Sequence, residues 1–134
     1  MATWKFLSSE WITEVQRVVR STIKPEDINY ATTSVLTVFE KCPPGGVEKA
    51  LLTKIDKGVF TDILLQAQPY PKTEFIITGE YTTFLKVFKG QIEPTAALMG
   101  GDLHLKGNVL KAMGMVNVFA PFFTALGRIP AEFE

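Results

Sequence analysis

Apolar side chains recur every three or four residues at the start of the chain, every second residue through its middle, and at helical spacing again towards its end. From position 9 onward, Trp11, Ile12, Val15, Val18 and Val19 form one stripe, and Glu14, Gln16, Arg17 and Arg20 fill the other side. Ser8 or Ser9 can cap this helix, and Glu10 suits its positive first turn. The helix is expected to fade near Thr22, because Lys24 precedes Pro25 and a residue before proline avoids helical backbone. The period then shortens. Residues 34–41, 49–56 and 59–68 read as three strands of an antiparallel meander, with Val59, Ile63, Leu65 and Ala67 placed on one face of the third. Cys42 to Gly46 is a loop, and Asp56-Lys57-Gly58 a tight turn in which Gly58 is free to take a positive φ. Gln68-Pro69-Tyr70-Pro71 reads as a crossover, not another hairpin. A fourth strand over 73–78 sets Phe75 and Ile77 on one face and Ile76 on the other.

The helical period returns at Tyr81, Phe84, Leu85 and Phe88, and Gly90 suits the stop. Pro94 opens a short helix carrying Ala96, Ala97, Leu98 and Met99 up to Gly100-Gly101. Leu103 to Lys106 alternates as a half-buried strand. A last helix is expected over 109–126 with Asn108 as its cap. Its polar side chains are only Lys111, Asn117 and Thr124, and Pro121 should kink or end it. The order helix-strand-strand-strand-crossover-strand-helices-strand-helix implies an α+β fold, one mixed sheet with helices on a face. At 134 residues the chain fits a single domain, 1–134.

Charge narrows the function. Fourteen basic and 14 acidic residues cancel, and no basic patch appears, so nucleic acid is not an expected partner. The one cysteine, Cys42, excludes an intrachain disulfide and a multi-cysteine zinc site, and a lone thiol suits a reducing compartment. The start of the chain lacks the apolar stretch of a signal peptide, and Ala131-Glu132-Phe133-Glu134 is not a peroxisomal address, so a cytoplasmic location is expected. Chemistry is sparse. His104 has no second ligand at metal-binding spacing, and Cys42 has only Lys41 to activate it. No nucleophile elbow, paired carboxylates or phosphate loop is present. The expectation is a protein that is not an enzyme and uses no cofactor or metal.

A family resemblance starts at Phe75. Phe75-Ile76-Ile77-Thr78 leads into an amphipathic helix ending in Lys89-Gly90, followed by Glu93-Pro94. Then come Gly100-Gly101-Asp102-Leu103-His104-Leu105-Lys106-Gly107-Asn108 and Lys111-Ala112-Met113. This succession resembles the core pattern of the sterol carrier protein type-2 family. Gly90, Gly101 and Gly107 take the family's glycine positions, and Leu105 takes one often filled by isoleucine. The resemblance is specific over about residues 73–118 and looser in the first half. It implies a single five-stranded mixed sheet covered by helices, with an apolar cavity between them. It also implies non-covalent binding of fatty acids, acyl chains, sterols or phospholipids.

Lipid binding needs apolar walls around a space that water leaves readily, and methionine adapts to a variable guest. The expected cavity residues are Tyr81, Phe84, Phe88, Met99 and Leu103, together with Leu105, Met113, Val116, Phe119 and Phe123. The same side chains suit an ordinary solid core. The apolar stretch over 109–126 has three readings: a buried helix lining the cavity, a helix that touches a membrane transiently while loading lipid, or half of a homodimer interface. Two functions therefore compete. One is a carrier or binding module for a lipid or fatty-acyl ligand. The alternative is an interaction domain that dimerises, or docks on a partner enzyme, through its apolar C-terminal helix.

Overall fold

The computed structural model describes residues 4–42, 45–129 and 131–132. After a short strand β1 (Trp4–Lys5), Ser8 caps α1 (Ser9–Thr22), its Oγ accepting the Trp11 N–H at 3.2 Å. Trp11, Ile12, Val15 and Val19 form the buried stripe of α1. Ile23 turns extended ahead of Pro25, and a single 3₁₀ turn, Pro25–Ile28, buries Ile28.

The meander follows as β2 (Thr33–Cys42), β3 (Val47–Asp56) and β4 (Val59–Gln66). Lys57 and Gly58 both hold positive φ, 48° and 84°, as the mirror-image hairpin turn requires. A Cβ on Gly58 would lie 2.6 Å from Cα of Pro25, so glycine also serves this close approach. The crossover brings β5 (Phe75–Glu80) back parallel to β2, and β6 (His104–Lys106) pairs antiparallel to β5. The sheet runs β4-β3-β2-β5-β6, the five-stranded mixed sheet with an α+β arrangement expected from the chain. A second, two-residue parallel pair joins β1 to β7 (Ala131–Glu132), too short to leave a sequence pattern.

Four helices complete the fold: α2 (Tyr81–Phe88), α3 (Pro94–Gly100), α4 (Val109–Gly114) and α5 (Val116–Arg128). The main core lies between α1, α2, α5 and the sheet face that carries Val35, Phe39, Leu51, Ile55, Phe75 and Ile77. The opposite face buries Leu36, Val38, Ala50 and Leu52 under Tyr70 of the crossover. Burial, and a hydrogen bond of 2.6 Å donated to Glu48, push the Tyr70 hydroxyl up to about 12.

Two elements differ from the sequence reading. In β4 the inward residues are Phe60 and Ile63, whereas Val59 and Ala67 are exposed and Leu65 is 40% exposed. The ladder explains it. Lys54 pairs with Asp62 and Ile55 with Phe60, so Thr61 is an extra residue, and this bulge resets the alternation. The last helix breaks at Gly114-Met115 instead of Pro121, which sits half-buried inside α5.

Candidate functional site: an apolar groove at the sheet edge

Short helices around the edge strand β6 shape the site. Pro94 starts α3, and Gly101, with φ 86°, ends it after seven residues. The Asn108 side chain caps α4 by accepting the Lys111 N–H at 3.1 Å. Between α3, β6, α4 and the start of α5 lies a groove of about 360 Å³. That is near the lower end of volumes that hold a small organic ligand. Leu98 and Met99 of α3 form one wall, Leu103 and Leu105 the floor, and Ala112 and Met113 of α4 the other wall. Phe119 of α5 closes the inner end.

The structure thus brings five of the expected cavity residues to one place: Met99, Leu103, Leu105, Met113 and Phe119. Leu103 and Phe119 are buried, and Leu105 is half-buried. Met99 and Met113 are 61% and 51% exposed and stand at the lip. Leu110, 82% exposed, stands one helical turn before Met113 on the same side of α4.

The other expected residues lie elsewhere. Tyr81, Phe84 and Phe88 of α2 are packed in the main core. The ring of Phe84 meets Phe39 at 4.5 Å, Phe88 at 6.0 Å and Phe123 at 6.2 Å, which leaves no space for a guest among them. Phe123 sits at the boundary between this cluster and a small enclosed void of about 10 Å³ under α5. The side chain of Val116 lies outside the described residues.

That void was not anticipated. Val118, Phe119, Phe122 and Phe123 roof it, and the sheet beneath contributes Val35, Thr37, Thr53 and Ile77 among others. Thr37 and Thr53 are 0% and 2% exposed, and neither hydroxyl has a hydrogen-bond partner. An unpaired buried hydroxyl costs about 1–3 kcal/mol. The sequence carried one overlooked signal: threonines at positions 37 and 53, each in register with inward apolar neighbours two residues away, Val35 and Phe39 on β2 and Leu51 and Ile55 on β3.

Electrostatics around the groove are mild. His104 is its one ionisable lining residue among the described residues. Outside it, Lys111 of α4 pairs with Glu74, which also accepts the Thr33 hydroxyl at 2.5 Å. Burial raises the Glu74 carboxyl, but the hydrogen bonds from Lys111 and Thr33 outweigh it and hold the group below its ordinary value. Burial also pushes the Cys42 thiol up, which disfavours the reactive thiolate. Among the described residues no cluster of three His, Cys, Asp or Glu is placed to hold a metal ion, and no helix is long and apolar enough to cross a membrane.

Two larger hollows are less suited to a lipid. One, of about 580 Å³, mixes Leu7, Leu65 and Tyr70 with Glu48, Lys49, Gln66 and Gln68. The other, of about 540 Å³, mixes Ile23 and Pro121 with Asp27, Thr95, Thr124 and Arg128, so charged groups break up the apolar lining of both. A hydrocarbon chain gains from leaving water for apolar walls, so lining outweighs size here.

Solved structures share this architecture. A crystal structure of sterol carrier protein 2 superimposes with a TM-score of 0.78 over 93% of this chain and 99% of that one, at 16% identity. The conserved hypothetical protein TT1886 of Thermus thermophilus gives 0.79 over 98% and 94%, at 17% identity. The palmitated SCP2L2 of Aedes aegypti gives 0.61 over 84% and 95%, at 14% identity. No curated protein matches the sequence. The model of the SCP-2 sterol transfer family matches residues 46–120, more than half of the chain, and the chain belongs to that family.

Proposed function

We propose that this protein binds, and passes on, a lipid-like molecule such as a fatty acid, acyl chain or sterol-like compound without chemically changing it. The observation that carries this reading is the groove of about 360 Å³, walled by Leu98, Met99, Leu103, Leu105, Met113 and Phe119. Its walls offer dispersion contacts, which suit a hydrocarbon guest, and His104, their one ionisable side chain, has no Ser, Thr or Cys among the lining residues to activate. Family membership supports the same reading, and the palmitated state of the Aedes aegypti protein supports an acyl chain as the ligand class. Burying about ten methylenes supplies on the order of 8 kcal/mol, which immobilisation costs reduce towards micromolar affinity.

Exposed Met99, Leu110 and Met113 give the groove an apolar lip, suited to brief contact with a membrane while a lipid crosses. A cytoplasmic setting suits Cys42, a buried free thiol. The competing docking role, through the apolar segment over 109–126, has little of α5 to use, since Val118, Phe119, Phe122, Phe123 and Leu126 are buried within the chain itself, and would rest on the exposed Leu110 and Met113 of α4. Native mass spectrometry of gently purified protein tests the proposal. A bound mass in the acyl-lipid range, displaced by added fatty acid, is expected. Ligand-free protein that takes up no fatty acid would contradict it.

A further inference from the structure

Three buried side-chain polar atoms among the described residues lack a hydrogen-bond partner, and two of them, Oγ1 of Thr37 and Oγ1 of Thr53, belong to the void beneath α5. Valine has the same shape as threonine, so packing alone gives no reason for a hydroxyl at either position. On β2 and β3 Thr37 pairs with Leu51, and Val35 pairs with Thr53. The two threonines are therefore diagonal neighbours on one sheet face, with side chains about 7 Å apart. With both Oγ1 atoms turned inward from their strands, a single oxygen atom between them lies within an ordinary O–H···O bond, about 2.8 Å, of each hydroxyl. The void, about 10 Å³, has room for a group of that size and nothing larger.

Phe119 lines both this void and the outer groove. Its ring is the partition between an apolar channel and a pair of unpaired hydroxyls. We propose that Thr37 and Thr53 form the deep polar anchor of the lipid site, taking an aliphatic ligand that enters with a neutral oxygen, an alcohol or carbonyl, leading past a displaced Phe119. The proposal rests on the lipid-binding reading and adds the ligand's orientation and head-group chemistry. Threonine hydroxyls both donate and accept, so an alcohol satisfies the pair fully and a carbonyl accepts from both. No cationic side chain lines the void, so an ionised carboxylate would be buried without a counter-charge and is excluded from the deep end. A fatty acid would sit the other way round, with its carboxylate at the mouth.

The test compares decan-1-ol, decane and decanoate as competitors against a fluorescent fatty-acid probe. They are applied to the natural chain, to Thr37→Val, Thr53→Val and their double variant, and to Thr37→Ser/Thr53→Ser. The natural chain should prefer decan-1-ol over decane by about tenfold. The double valine variant should lose that preference while keeping its affinity for decane, and the serine variant should retain it. If the double valine variant fails to fold, the single variants carry the test, each losing a few-fold of the preference. A preference that survives both valines overturns the proposal. So does a natural chain that binds decane and decan-1-ol alike, since the hydroxyls then hold only a water. If the natural chain binds no probe at all, the lipid-binding reading itself fails, a result distinct from either.

Discussion

Phe119 meets Phe75 edge-on, with ring centroids 5.6 Å apart and planes at 81°. One residue comes from α5 and the other from the inward face of β5, so this contact holds the Phe119 ring upright between the outer groove and the inner void. The core is thereby divided into a solid aromatic half around Phe39, Phe84 and Phe88 and a half with space in it.

Shortening that partition should speed loading. Phe119→Leu keeps the site apolar and, as a large-to-small change at a buried position, costs about 1–3 kcal/mol of stability. Stopped-flow mixing with a fluorescent fatty acid is expected to show a faster association rate than in the natural chain. An unchanged rate would place the ring outside the ligand's path.

Charge at the lip should block binding without harming the fold. Met99 and Met113 are 61% and 51% exposed, so Met99→Glu or Met113→Glu is expected to change stability by no more than about 0.5 kcal/mol. Either should weaken uptake of an acyl probe by at least about tenfold, because the chain would cross a solvated carboxylate. Leu64→Glu, at a residue 43% exposed on β4, serves as the control and should leave uptake unchanged. Equal loss in all three would point to non-specific adsorption.

The pairing of Lys111 with Glu74 ties α4 to the start of β5. The folded Glu74 carboxyl lies below its ordinary 4.5, so its contribution is present at neutral pH and is lost as pH falls below 4.5 through the lower folded value. Amide exchange over residues 109–114, measured relative to its intrinsic rate at each pH, should therefore accelerate on acidification. In Glu74→Gln it should already be faster at neutral pH, with the acid-dependent part removed.

Gly127 offers a test whose sign is informative. It lies inside α5, where alanine would ordinarily stabilise a helix by about 0.8–1 kcal/mol. A Cβ there would fall on the backbone carbonyl of Phe88 at the end of α2, and backbone cannot swing aside as a side chain can. Gly127→Ala is expected to destabilise by about 1–3 kcal/mol in a denaturant melt.

Much of the fold was legible because burial on one side writes a period into the chain. The stripe from Trp11 to Val19 and the helix from Tyr81 to Phe88 appear where spacing placed them. The motif from Phe75 to Met113 carried the family. The phase of β4 was not legible, because the bulge at Thr61 is a property of the ladder with β3 and not of local sequence. The break at Gly114-Met115 was masked by Pro121, a stronger breaker that the middle of α5 nevertheless accommodates. At the site, apolar character placed Met99 and Met113 beside Phe84 and Phe88, but only the packed structure shows which are covered. Periodicity marks a residue as apolar. It does not say whether a neighbouring element lies over it.

The location of the ligand is the central claim, and methyl NMR during titration with dodecanoic acid tests it most directly. Saturable shifts are expected in the methyls of Met99, Met113, Leu103 and Leu105 around the groove, with those of Leu64 on the far edge of the sheet unmoved. Shifts confined to Leu64 and Leu65 of β4, or no saturable shift anywhere, would contradict it.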